Sequence, residues 1–200
     1  FKNKIHYKKN ASLEAQLASI SDDIAYNSHD LEDGLRANLY KIEDLKNIPI
    51  LSNIIDKHKK FIKTKGTELM IRQMIRGIIN EMVNDIIVNT QKNIKEKKIN
   101  KITDIYNNKD LLVNFSEEMS CFDIKIKSFL RDKMYFSKNV IKKTNMGKKI
   151  IKFLFFKIKK NPSKYISKKH YKNYNLERNI CDYIAGMTDR YAINLYNSLK

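Results

Sequence analysis

The 200-residue chain has few of the residues that bend or close a backbone, with 5 Gly, 2 Pro and no Trp. Multi-stranded sheets need turn residues between strands, so this scarcity argues against a β-rich fold. Cys121 and Cys181 stand sixty residues apart with no CxxC partner. They spell neither a zinc site nor a disulfide framework, and a reducing cytoplasmic setting is expected. The longest apolar run, Ile150 to Ile158, is broken by Lys152 and Lys157 and is too short to span a bilayer, so no membrane partner is expected. The opening Phe-Lys-Asn-Lys-Ile-His has no apolar core of the signal-peptide kind. It also begins without Met, which suggests a processed, truncated or partly covered polypeptide.

Arginine is scarce as well. Only six of the 40 Lys+Arg are Arg, at 36, 72, 76, 131, 178 and 190, against 22 Asp+Glu and a net charge of +18. A lysine-rich surface attracts nucleic acids and nucleotides without a specific site, so non-specific nucleic-acid binding is one reading. Joint enrichment in Lys, Ile and Asn also fits AT-rich coding drift. Each Arg stands out for its planar fork, which grips a phosphate bidentately where Lys offers a point charge.

Apolar residues make up 42% of the chain, mostly Ile, Leu and Met at helical spacing, and the fold class expected is all-α. Residues 1–11 read as a basic lead-in. Ser12 is placed to cap a helix through about Asn27, with the pattern continuing to Leu39 past a bend near Ser28. A break at Asn47-Ile48-Pro49 precedes a helix over Leu51–Phe61, and Thr64-Lys65-Gly66 reads as a turn. Thr67 is then placed to cap the strongest helix, whose stripe runs from Met70 to Ile87. Residues 91–109 read as a mobile Lys/Asn-rich connection, followed by helices over 116–136, 148–159 and from Leu176 to the end. Gly77 and Gly186 are expected to allow close helix packing, and no linker divides this single helical body.

The run from Ser12 to Arg36 is unusual for a core helix. Leu13, Leu17, Ile20 and Ile24 have helical spacing, yet carboxylates crowd positions 22, 23, 30, 32 and 33. Asp22, Tyr26 and Asp30 stand four residues apart on one face. Two acids with an aromatic ring between them suit a metal and a sugar or base; a solvated acidic face has the same spacing. Arg72 and Arg76 share a face that reads either as a triphosphate contact or as structural ion pairs. Arg190 is expected to pair with Asp182 or Asp189.

The string SLEAQLASISDDIAYNSHDLEDGLRANLY at 12–40 resembles the metal-aspartate segment of bacterial deoxyguanosinetriphosphate triphosphohydrolase-like proteins of the HD superfamily. Asn114-Phe-Ser-Glu-Glu-Met119, Phe129-Leu-Arg-Asp-Lys-Met-Tyr135 and Cys181-Asp-Tyr-Ile-Ala-Gly-Met-Thr-Asp-Arg-Tyr-Ala192 continue the resemblance in order. It implies the C-terminal part of a helical HD-domain-type bundle, with 12–90 in the metal-binding core and 91–200 as the C-terminal helical region. The implied activity is hydrolysis of a deoxynucleoside triphosphate to deoxynucleoside and triphosphate with a divalent ion, Mg2+ or Mn2+.

By the same resemblance Asp22 is the catalytic, metal-ligating final Asp, Tyr26 packs against deoxyribose and Asp30 lies near the 3′-hydroxyl. Asp23 is the weaker candidate. His29-Asp30 spells the superfamily name inside the final-Asp segment, while the family's true His and His-Asp pair lie upstream. His6, His58 and His170 have no context to replace them. The chain alone is therefore expected to lack triphosphohydrolase activity. A homo-oligomer or a separate N-terminal fragment would complete it; a non-catalytic interaction subunit and a basic nucleic-acid module are the other readings.

Overall fold

Ser12 accepts a hydrogen bond from the Ala15 amide at 3.3 Å and so starts α1, Leu13–Arg36, as its spacing predicts. The computed structural model describes residues 9–58, 66–166 and 175–200, and among these it is helical with no strand, as an all-α bundle requires. A 3-10 turn, Ile42–Asn47, leads to α2, Pro49–His58, and then come α3, Thr67–Glu96, and α4, Ile102–Asn107. Helix α5, Glu117–Leu130, runs into a π turn at Arg131–Tyr135. Then follow α6, Lys138–Lys160, α7, Leu176–Ala185, and α8, Asp189–Leu199. His6, His170, Phe61, Thr64, Lys65 and most of the basic lead-in lie outside the described residues.

Several local expectations change. Helix α1 is continuous through Ser28, because Asn27, Ser28 and Leu31 are all buried and hold that turn in place. It ends where Asn38, at φ 53°, reverses the chain and lets the Leu39 amide reach the Gly34 carbonyl at 3.0 Å. Thr67 is the first helical residue of α3, and Gly66 occupies the cap position. The expected connection at 91–109 is largely helical, since α3 extends to Glu96 and α4 follows. Helix α6 begins ten residues earlier than its apolar run suggests, because Ser137 accepts from the Val140 amide and caps it. The final helix is two, broken at Gly186-Met187-Thr188.

Contacts divide the chain into two units at Phe136/Ser137, a different boundary from the 90/91 division of the sequence. The first unit joins α1, α2, α3 and α5 around Leu31, Leu51, Met74, Ile78 and Ile126, all fully buried. The α3 stripe is central, although Val83 and Ile87 are exposed. A Cβ on Gly34 would lie 2.4 Å from the Tyr40 ring, and one on Gly77 would lie 2.9 Å from Ile54, so both glycines permit close packing. Gly186 does not; it only ends α7. In the second unit, α6 packs on α7 and α8 through Ile150, Leu154, Ile158, Ile180 and Tyr196, with Phe153 edge-on to Tyr196.

Candidate functional site

Helix α1 is pinned near its start and again midway, within its candidate face. Near its start, the buried Gln16 accepts from the amides of Leu112 and Val113 at 2.9 and 3.1 Å and donates to the Ala11 carbonyl at 2.8 Å. That loop is in turn fixed to α3, because Asn89 and Asn93 donate to Asn114 and Leu112. Asp85 accepts from both the Ser116 amide and hydroxyl, which sets the start of α5.

Midway along α1, the buried Asn27 donates to Asp123 of α5 at 3.1 Å. Lys127 bridges Asp123 at 2.8 Å and Asp23 at 3.3 Å. Burial pulls the Lys127 ammonium down, but the hydrogen bonds and charges of Asp123 and Asp23 outweigh it and leave it raised. Asp23 is thereby engaged toward α5, which separates its role from that of Asp22.

What remains open is the face one residue round. Asp22 is exposed, Tyr26 is 60% exposed and Asp30 is half-buried, in line at one-turn intervals. Tyr135 closes the far end, donating to the Asp30 carboxylate and sharing a hydrogen bond with Tyr26. Burial, then those hydrogen bonds, raises the Tyr135 phenol well above its ordinary value, so it stays a neutral donor. The π turn at 131–135 carries Tyr135. Such a turn re-aims a side chain relative to an α-helical continuation and is common at functional positions.

Tyr135 was not singled out in the sequence, since 105 residues separate it from Asp30. Its one signal was its place in Phe129–Tyr135, a segment carrying the family resemblance. Gln16, Asn27, Asp123 and Lys127 gave no sequence signal, because a buried polar contact has no periodicity of its own.

The arginines lie elsewhere. Arg36 donates to Glu32 and Glu68, and Arg72 donates to the same Glu68 at 2.8 Å. Arg36 is fourteen residues beyond Asp22 on α1, about 21 Å along the axis, so this ion-pair cluster is not beside Asp22. Arg76 is exposed and lines an open cleft of about 560 Å³ with His58, Gln73 and Asn80. Arg190 is exposed, and the partner of Asp182 is Arg178 at 2.9 Å.

Among the described residues no three His, Cys, Asp or Glu side chains converge as metal ligands. Asp22 offers one hard carboxylate oxygen, and His29 is exposed two helical turns further on, about 10 Å along the axis, so it adds no donor at Asp22. These residues by themselves do not fit a divalent ion, because such sites take several protein ligands.

Residues 113–198 match the family model described as a phosphohydrolase-associated domain. The chain is similar to a deoxyguanosinetriphosphate triphosphohydrolase-like protein of Pelagibacter ubique (strain HTCC1062), 47% identical over 195 residues, covering 98% of this chain and 52% of that protein. A protein of the same description from Leptospira interrogans serovar copenhageni is 36% identical over 193 residues, covering 94% and 51%. One from Rickettsia typhi is 34% identical over 202 residues, covering 98% and 53%. The chain thus spans about half the length of the curated relatives it matches, and that half is their C-terminal one.

Proposed function

This chain belongs to the deoxyguanosinetriphosphate triphosphohydrolase-like family, matching the C-terminal half of its members, and on that premise we propose that it supplies one wall of a deoxynucleoside-triphosphate triphosphohydrolase site. The observation that carries this is the open α1 face on which Asp22, Tyr26 and Asp30 align, backed by Tyr135. The partner is polypeptide equivalent to the relatives' N-terminal half, joined in the same chain or assembled with it in the cytoplasm.

In this reading Asp22 gives one ligand to a divalent ion, Mg2+ or Mn2+, whose other ligands come from that partner. Bound there, the ion would polarise a phosphate oxygen and activate water. Tyr26 packs its ring against the deoxyribose. Asp30 accepts from the 3′-hydroxyl, and the Tyr135 hydroxyl holds that carboxylate in one rotamer, so Tyr135 is a positioning residue. A ring packed on C2′ leaves a 2′-hydroxyl without a partner, which disfavours ribonucleotides. Arg76, on an open cleft, is better placed than Arg72 for a phosphate oxygen, since Arg72 is held by Glu68. A second reading, a non-catalytic interaction subunit, draws on the absence of converging metal ligands among the described residues.

A chimera tests the proposal: the N-terminal half of the Pelagibacter relative fused ahead of this chain. With Mg2+ or Mn2+ it is expected to release triphosphate from dGTP, and Asp22→Ala is expected to reduce the rate to background. The chain alone is expected to be inactive. Triphosphate release by the 200-residue chain alone, abolished by Asp22→Ala, would contradict the division of the site.

A further inference from the structure

The positive charge is divided unevenly between the two units. Residues 137–200 hold 16 Lys+Arg against 3 Asp+Glu, whereas residues 1–136 hold 24 against 19. Coding drift toward Lys, Ile and Asn does not strip acids from one unit and leave them in the other. The asymmetry therefore needs a local cause.

Helix α6 concentrates it, with nine Lys and no acid in 23 residues. Its core face is given to α7 and α8 by Ile150, Leu154 and Ile158. On the opposite side, Lys138, Lys142, Lys149, Lys152 and Lys160 fall within about 40° of one line, because each successive residue turns the helix by roughly 100°. Together they span about 33 Å of helix axis. None of the five is in an ion pair among the described residues; the α6 lysine that pairs is Lys159, with Glu177. Phe156, 53% exposed, stands in the same line, one turn from Lys152 and one from Lys160.

A stripe of that length does not match a single nucleotide, whose phosphates reach one or two ammoniums. A helix that lies in a lipid surface inserts a free apolar face, and the apolar face of α6 is already packed in the core. A repeating row of phosphates matches the stripe, and an aromatic ring among ammoniums offers an unpaired base a stacking surface. We propose that the outer face of α6 binds nucleic acid, independently of sequence, through its phosphate backbone, with Phe156 stacking on a base where the strand is single. This surface does not depend on the hydrolase reading.

The test is fluorescence anisotropy of the full chain with a labelled 20-nucleotide oligomer, single- and double-stranded, over a series of salt concentrations. Wild type is expected to bind with log affinity falling against log salt with a slope of about −3.5 on the single strand and about −4.5 on the duplex, from five contacts. Lys142→Glu/Lys149→Glu/Lys152→Glu is expected to weaken binding more than tenfold and flatten the slope by about 2. Lys41→Glu/Lys95→Glu/Lys109→Glu changes net charge equally and is expected to change affinity less than threefold. Circular dichroism checks folding, and Lys149→Gln, flattening the slope by about 0.7, replaces the triple variant if that fails to fold. Phe156→Ala is expected to weaken single-strand binding more than duplex binding, and equal loss on both overturns the stacking role. Equal weakening by both triple variants, no oligonucleotide binding at low salt, or binding only to phosphatidylserine vesicles overturns the proposal.

Discussion

The first unit turns polar residues inward, and the second turns them out. Gln16, Asn27, Ser28 and Asp123 are all buried, and all lie on α1 or α5. Among the described residues of the second unit, the buried set is Ile150, Leu154, Ile158, Ile166, Ile180 and Tyr196, with no charged or amide side chain. Apolar packing holds helices together but tolerates small slides, whereas a directional hydrogen bond fixes register. The unit that presents Asp22, Tyr26 and Asp30 is the one whose helix is locked, and the unit with the lysine stripe needs no such lock.

The largest test of this contrast is the independence of the two cores. Met74→Ala and Leu154→Ala are each expected to cost about 2–5 kcal/mol, and each should lower only its own transition in calorimetry. One shared transition that moves with either variant would break the contrast. Gly34→Ala is expected to cost about 1–3 kcal/mol in the first unit, since its methyl must displace the Tyr40 ring. Denaturant midpoints measure it.

Hydrogen-bonded charges sharpen the comparison further. Asp123→Ala is expected to destabilise the first unit by about 1–2 kcal/mol, because Asn27 loses its buried acceptor. Glu177→Ala removes the exposed Lys159 pair of the second unit and is expected to shift stability by less than about 0.5 kcal/mol.

A separate contrast appears in alkali. Burial, then the charges of Asp30 and Asp33, raises the Tyr40 phenol above its ordinary 10.0; burial and hydrogen bonds to Asp30 and Tyr26 raise Tyr135 likewise. The hydrogen bond with Tyr191, and then burial, pushes Tyr183 of the second unit up to about 12. An unfolded tyrosine loses its proton near pH 10 while these keep theirs, so their stabilisation is whole below about pH 10 and is lost above it. The second unit is expected to decline between about pH 10 and 12, and the first to go on declining beyond. Tyr135→Phe should flatten the first curve in a pH series of thermal melts.

Local patterns were legible in the sequence where a single helix carries them. The Met70–Ile86 stripe of α3 and the Ser12 cap of α1 both rest on periodicity or near-neighbour chemistry, and the structure has both. The length of α6 was hidden because its first three turns bury nothing and so leave no apolar period. The break at Gly186–Thr188 was hidden because α7 and α8 each keep an amphipathic pattern across it. At the candidate site, the line Asp22–Tyr26–Asp30 was visible as spacing. Its support by Tyr135 and the diversion of Asp23 to Lys127 were not, since both arise from contacts more than a hundred residues apart.

The central claim is that Asp22 is one ligand of a shared metal site. Manganese titration followed by electron paramagnetic resonance tests it most directly, on the chain alone, on the Pelagibacter chimera and on the chimera with Asp22→Ala. The account predicts tight Mn2+ binding by the chimera only, with loss of at least tenfold in affinity on Asp22→Ala. Equally tight binding by the Asp22→Ala chimera would contradict it.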